Sequence, residues 1–329
     1  MHTVYTTLKS MKNLKIKKIV LHYLLLIAFI ISILVSLPHI AISEIKESFL
    51  YRLSNFNGSV PYNWARIFVD KEKNEIYVVY ENLVRIFNEN GMEIYSFSDT
   101  VKLGNIYDVT VDNNGNIIIL SYKGNNYLIT LSNFMGQPTS EIELKNLPLE
   151  YSGFLPNRIV YRNGNLYLAS LNSMKVVITD TQGFFRDGYD LAKIIGLEED
   201  DRANTGIGGF NLDNEGNILF TIPVIARAYK LSPDRKVASF GKRGSAPGRF
   251  GIPGDIVADN FGNSIVCDTL RSVIIVFDKD FKFLTEFGYR GFGPGNLIAP
   301  MNLAIDDNSR IYVSQLRNRG ISVFRIIYD

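Results

Sequence analysis

Gly241-Lys-Arg-Gly-Ser-Ala-Pro-Gly-Arg-Phe250 returns 47 residues later as Gly288-Tyr-Arg-Gly-Phe-Gly-Pro-Gly-Asn-Leu297. The register runs on past it without insertion, pairing Pro253 with Pro300, Asp259 with Asp306 and Phe277 with Phe324. A self-match at a fixed period of this size is the mark of a repeat architecture. Working back from Asp259, the anchors are Asp70, Asp112, Tyr161, Asp213, Asp259 and Asp306, spaced by 42, 49, 52, 46 and 47 residues. The chain therefore holds six units.

Each anchor opens a polar turn, as in Asp112-Asn-Asn-Gly-Asn116, Arg162-Asn-Gly-Asn165, Asp213-Asn-Glu-Gly-Asn217 and Asp259-Asn-Phe-Gly-Asn263. Asn-Gly and similar pairs tolerate the positive φ that a tight hairpin demands. A β-rich run follows each turn, such as Ile117-Ile-Ile-Leu120 or Ile311-Tyr-Val313, and then two more, the last resembling Phe283-Leu-Thr-Glu-Phe287. Four short strands in 40 to 50 residues make a propeller blade. The sixth unit stops after its third strand, and Phe49-Leu-Tyr-Arg-Leu-Ser54 reads like the missing fourth. The expectation is an all-β fold: a six-bladed β-propeller of four-stranded blades over residues 44–329, closed by an N-terminal strand and preceded by an N-terminal hydrophobic helix.

Residues 1–43 are a different material, with five lysines and no carboxylate. An uncharged run from Ile19 to Leu37 comes after the lysines and at 19 residues can just cross a bilayer core. Basic residues on its N-terminal side place that end in the cytoplasm. The expectation is a membrane anchor through residues 19–37, or a signal peptide cleaved after Ser43, where Ala41 and Ser43 have the spacing a signal peptidase reads. Either puts the propeller outside the cytoplasm. Removing the five lysines leaves 30 basic and 33 acidic residues in the rest of the chain, near −3. That balance gives no global signal for nucleic acid. Cys267 is the single cysteine, which excludes a disulfide framework within the chain.

The run Gly241 to Phe250, followed by Pro253, Ile256-Val-Ala-Asp259, Val266-Cys-Asp268 and Val273-Ile-Ile-Val-Phe-Asp278, resembles the NHL repeat family of six-bladed, TolB-like propellers. Units five and six carry the resemblance most strongly, and unit three departs from it because Tyr161 replaces the aspartate. The Asn and Arg frequent in the family before the third strand also fall out of place, at Arg271 and Val273 in unit five and at Asn318 and Gly320 in unit six. The resemblance implies protein-binding and RNA-binding modules, a zinc lyase or a calcium-dependent lactonase, so it does not choose a function.

Histidine narrows the choice, since His2, His22 and His39 are the only three and none lies in the propeller. Zinc sites built on histidine and hydrolytic triads are thereby excluded there. Calcium needs only oxygen ligands. Four residues before each anchor stand Arg66, Asp108, Asn157, Gly209, Asp255 and Asn302, a set that strand symmetry brings around one channel end. Asp108, Asn157, Asp255 and Asn302 are candidate calcium ligands of a lactonase-like hydrolase, which Arg66 opposes; the same residues also satisfy backbone amides in ordinary NHL blades. No other cofactor is expected. The inter-blade loops of units five and six concentrate Lys242, Arg243, Arg249, Phe250, Tyr289, Arg290 and Phe292, and the loops between second and third strands add Arg271, Arg317 and Arg319. Arginine and aromatic side chains favour binding hot spots, so this face is the candidate site for a protein partner or an anionic polymer.

Overall fold

The computed structural model describes residues 45–98, 101–202 and 204–328, together with 26–27. Two compact units divide the chain, Met1–Glu44 and Ile45–Asp329. Of the first, only the helical, exposed Leu26 and Ile27 are described. The remainder of the run from Ile19 to Leu37, and the cleavage motif at Ala41 and Ser43, lie outside the described residues. Among the described residues, no helix is long and apolar enough to cross a membrane.

The second unit is made of six four-stranded antiparallel sheets and one two-residue ladder. Their first strands are Arg66–Asp70, Asn105–Val111, Arg158–Arg162, Phe210–Leu212, Pro253–Ala258 and Asn302–Ile305. Each adjoins the next, and Asn302–Ile305 adjoins Arg66–Asp70, so the sheets run round a central axis as six blades. In the sixth blade the order is Ile45–Arg52, Ile321–Tyr328, Arg310–Ser314 and Asn302–Ile305. Phe49 lies opposite Phe324, with ring centroids 5.7 Å apart and edge to face. The N-terminal strand begins and ends earlier than the Phe49–Ser54 expected from the sequence. Ser54–Asn55 pairs instead with Gly58–Ser59, because the chain turns there toward the first blade.

The apolar core lies between blades. Val257, Ile265 and Cys267 of the fifth pack with Leu303, Ile311 and Val313 of the sixth, all buried. A strand covered on both faces has no need of polar alternation, which is why Ser264–Asp268 and Val273–Phe277 are buried at every position. Burial pushes the Cys267 thiol well above its usual pKa, the behaviour of a small core side chain rather than a nucleophile.

The anchor aspartates hold the turns. Asp259 Oδ1 accepts the amides of Phe261 and Asn263 at 2.9 Å, and Oδ2 accepts the Asn263 side chain. Asp213 repeats this with Glu215 and Asn217, and Asp306 with Asn308 and Arg310. Blade three dispenses with the aspartate because Arg162 pairs directly with Asn165 across a two-residue turn, Asn163 and Gly164, both at positive φ.

Candidate functional site

The first strands bring Asp108, Asp255 and Asn302 to the channel, all buried. Between the two aspartates stands Arg158, also buried, with Nε 3.0 Å from Asp108 Oδ2 and Nη1 3.7 Å from Asp255 Oδ2. Burial works against the Arg158 charge, but the two carboxylates outweigh it and raise its pKa. Burial also raises the Asp255 carboxyl, against the pull of Arg158 and Arg66. The aspartates tie blades together as well: Asp108 Oδ2 accepts the amide of Ile159 at 3.1 Å and Asp255 Oδ2 that of Leu303 at 3.2 Å, each in the following blade.

This arrangement does not fit calcium. The ion takes six to eight oxygens, and here the carboxylates face a guanidinium and main-chain amides. Asn157 turns into its own blade to accept the amide of Leu171, and Asn302 donates to the carbonyls of Trp64 and Ala65 while accepting from Arg66. Gly209 contributes no side chain; a Cβ there would come within 2.4 Å of Asp255 Cα, so the glycine admits the close approach of blades four and five. Among the described residues, no group of three or more His, Cys, Asp or Glu is placed to hold a metal.

The polar layer separates two cavities. Asp108 and Arg158 line one of about 360 Å³ that reaches the turns at Lys71, Asn113 and Asn214. Arg66 and Asn302 line another, of about 370 Å³, at the opposite mouth. Arg158 is not singled out by the repeat register, because it stands one position after the residues that the register aligns. A signal is nevertheless present in the sequence: a cation opening the otherwise apolar run Ile159-Val-Tyr161 requires a buried partner, and two aspartates stand one register position earlier in other blades.

On the loop face, the repeated Gly-x-x-Gly-x-x-Pro-Gly segments fold alike. Phe250 donates its amide to the Lys242 carbonyl, and Leu297 does the same to Tyr289. The fold inserts Phe250 into the core against Phe240 and Phe277, so it is a packing residue and not part of a binding face. Gly241, at φ +81°, is required there, since a Cβ would lie 2.0 Å from the Phe250 ring. Arg271 is also spoken for. It forms a two-pronged pair with Glu286, at 3.0 and 2.6 Å, and reaches the Arg249 carbonyl at 2.7 Å. Glu286 in turn accepts the Gly248 amide, so this pair clamps the two loops. Neither Glu286 nor the internal folding of the Gly-rich segment is announced by the sequence. Arg319 braces the other loop, donating to the Phe292 and Gly293 carbonyls with its guanidinium 5.5 Å from the Phe292 ring centroid.

Lys242, Arg243, Arg249, Tyr289, Arg290, Phe292 and Arg317 remain exposed. They belong to adjoining loops, since Arg243 reaches the Val224 carbonyl and Arg290 that of Leu270. Among the described residues, none of these five cations pairs with a carboxylate within 4.0 Å, in contrast to Arg271.

No protein-family model matches the chain. Over 80 residues it is 38% identical to RING finger protein nhl-1 of Caenorhabditis elegans, which covers 24% of the chain and about 8% of that protein's length. Virginiamycin B lyase from Staphylococcus aureus, solved with quinupristin, superposes with a TM-score of 0.56 at 13% identity, covering 86% of this chain and 100% of that one. An auxiliary nutrient binding protein from Bacteroides ovatus superposes with a TM-score of 0.58 at 12% identity, covering 87% and 77%. At such identities the likeness to solved structures is one of fold. The chain is a six-bladed β-propeller.

Proposed function

We propose that the propeller is an extracytoplasmic binding or scaffold module, tethered or released by its N-terminal segment, whose loop face on blades five and six recognises an acidic protein or anionic polymer. The observation that carries this reading is the exposure of two aromatic rings, Tyr289 at 55% and Phe292 at 64%, beside five cations that have no carboxylate within ion-pair distance among the described residues. Large apolar side chains left in water beside cations are the raw material of an interface hot spot. Phe292 is also braced by Arg319, which limits the conformational freedom lost on binding. A solved neighbour described as a nutrient binding protein lends support to a binding role for this fold. Closure of the last blade by Ile45–Arg52 gives the module a rigid frame, and that frame begins directly after the segment that would tether it.

The test is capture of partners from native membranes by the tagged full chain, compared with the double variant Arg243→Glu, Arg290→Glu. Capture should fall at least about tenfold, the loss of one or two charge-assisted contacts, and should weaken as salt rises. Thermal unfolding should stay close to that of the parent, since exposed substitutions move stability by only about 0.5 kcal/mol. Undiminished capture by the double variant would refute this face as the site.

A further inference from the structure

We propose that the cavity at the loop-side mouth of the central channel binds a small monocarboxylate with an apolar body, its carboxylate held by the Arg66 guanidinium. The cavity encloses about 370 Å³ between Trp64, Ile207, Ile252 and Met301, with Arg66 and Asn302 also lining it. Small-molecule sites occupy roughly 300–1,000 Å³, mostly apolar with a few polar groups that fix orientation. This site is distinct from the loop patch on blades five and six and stands without it.

Arg66 argues for an anion. The two carboxylates of its layer are committed elsewhere, Asp108 to Arg158 and the amides of Val109 and Ile159, Asp255 to Arg158 and the amides of Ile256 and Leu303. Among the described residues Arg66 forms no ion pair, and its hydrogen bond is from Nη1 to the Asn302 amide oxygen at 2.5 Å. A guanidinium carries five N–H donors in a planar fork that matches a carboxylate in two-pronged fashion. Burial, and next the nearby Arg158, lower the Arg66 pKa to about 10 against the pull of Asp108 and Asp255, so the charge stays on at neutral pH. In formal charge Arg66 and Arg158 balance Asp108 and Asp255, but both carboxylates sit against Arg158 and none is within ion-pair distance of Arg66 among the described residues. One carboxylate can therefore be taken by the open Arg66 fork; a second negative charge would be repelled by Asp255.

The apolar walls supply the rest of the recognition. Trp64 is fixed across the mouth by its indole N–H, which donates to the Ala299 carbonyl at 2.8 Å, and 40% of it is exposed. It is the only tryptophan in the chain, so its emission reports on this cavity.

The full chain would be titrated with phenylacetate and octanoate, against phenylacetamide and octanamide as uncharged counterparts, while Trp64 fluorescence is followed. A saturable change is expected with the acids, with the amides weaker by about tenfold or more, and Arg66→Gln should lose the difference. Because that variant alters a buried layer, Ile252→Glu serves as a second: it adds a carboxylate to an exposed part of the wall, at 41%. It should weaken binding of the acids about tenfold while its thermal unfolding matches the parent. Amides that bind as well as acids, acid binding unchanged in Ile252→Glu, or no saturable response of the parent up to about 10 mM would each overturn the proposal.

Discussion

A guanidinium enclosed by two carboxylates, as Arg158 is by Asp108 and Asp255, is held by groups that are themselves costly to bury unpaired. Arg158→Leu should therefore lower unfolding stability by about 3–5 kcal/mol, read from urea melts. Adding Asp108→Asn and Asp255→Asn to that variant should recover part of the loss, because the stranded charges are then gone. A single-variant loss under about 1 kcal/mol would show that the layer is not closed to water. Asp213 offers a check through pH. Burial opposes its charge, but Lys230 at 2.8 Å and the Asn217 donors outweigh that and hold its carboxyl below the usual carboxylate range. A lowered folded-state pKa contributes stability that is present above the unfolded value and lost as pH falls through the folded one. The gap in melting temperature between the parent and Asp213→Asn should thus be widest near pH 7 and close as pH falls below about 4. Single residues were the least legible scale in the sequence. Phe250 and Arg271 have the composition of a binding loop, and only their neighbours, Phe240 and Glu286, show that one is core and the other a clamp.

Blades were legible because what defines them is local. An aspartate that caps its own turn two and four residues on writes the turn into five consecutive letters, and Asp112, Asp213, Asp259 and Asp306 all do so. Even the exception was readable in part, since Asn163-Gly164 replaces a capped turn by a tighter one. Channel contacts such as Arg158 with Asp108 join residues that are 50 positions apart, and no local pattern announces them. The strand Ile45–Arg52 stands between these cases, readable by its likeness to a fourth strand but with its ends set by the partner, Ile321–Tyr328. Deleting residues 44–55 strips this strand, leaves Phe324 and Ile326 without Phe49 and Ile45, and opens an edge. The truncated ring should lose more than the roughly 3 kcal/mol of one large core truncation, with a lower and broader thermal transition. A melt coincident with the parent's would mean that the sixth blade stands on three strands.

Taken as a whole molecule, the chain is strongly asymmetric in charge and apolarity. Five lysines and no carboxylate stand in the first 43 residues, while the remainder, with 30 basic and 33 acidic residues, is near −3. The uncharged run from Ile19 to Leu37 would span roughly 28 Å as a helix, close to the hydrocarbon thickness of a bilayer. The last blade of the ring is closed by Ile45–Arg52 pairing with Ile321–Tyr328. The ring does not depend on a disulfide, Cys267 being buried and alone, so folding is indifferent to the redox state of the compartment. On our proposal, the lysines on the N-terminal side would retain that end in the cytoplasm and direct the chain beyond the run across the membrane. Protease added to intact cells or spheroplasts should then cleave the propeller at exposed loops, Val101-Lys102 among them, while a cytoplasmic marker survives. Replacing Lys9, Lys12, Lys15, Lys17 and Lys18 with glutamine should reduce that accessibility, since the orientation signal is carried by cationic residues near the span. A propeller as protected as the marker would place it in the cytoplasm, and its cationic face would then have to find its acidic partner there.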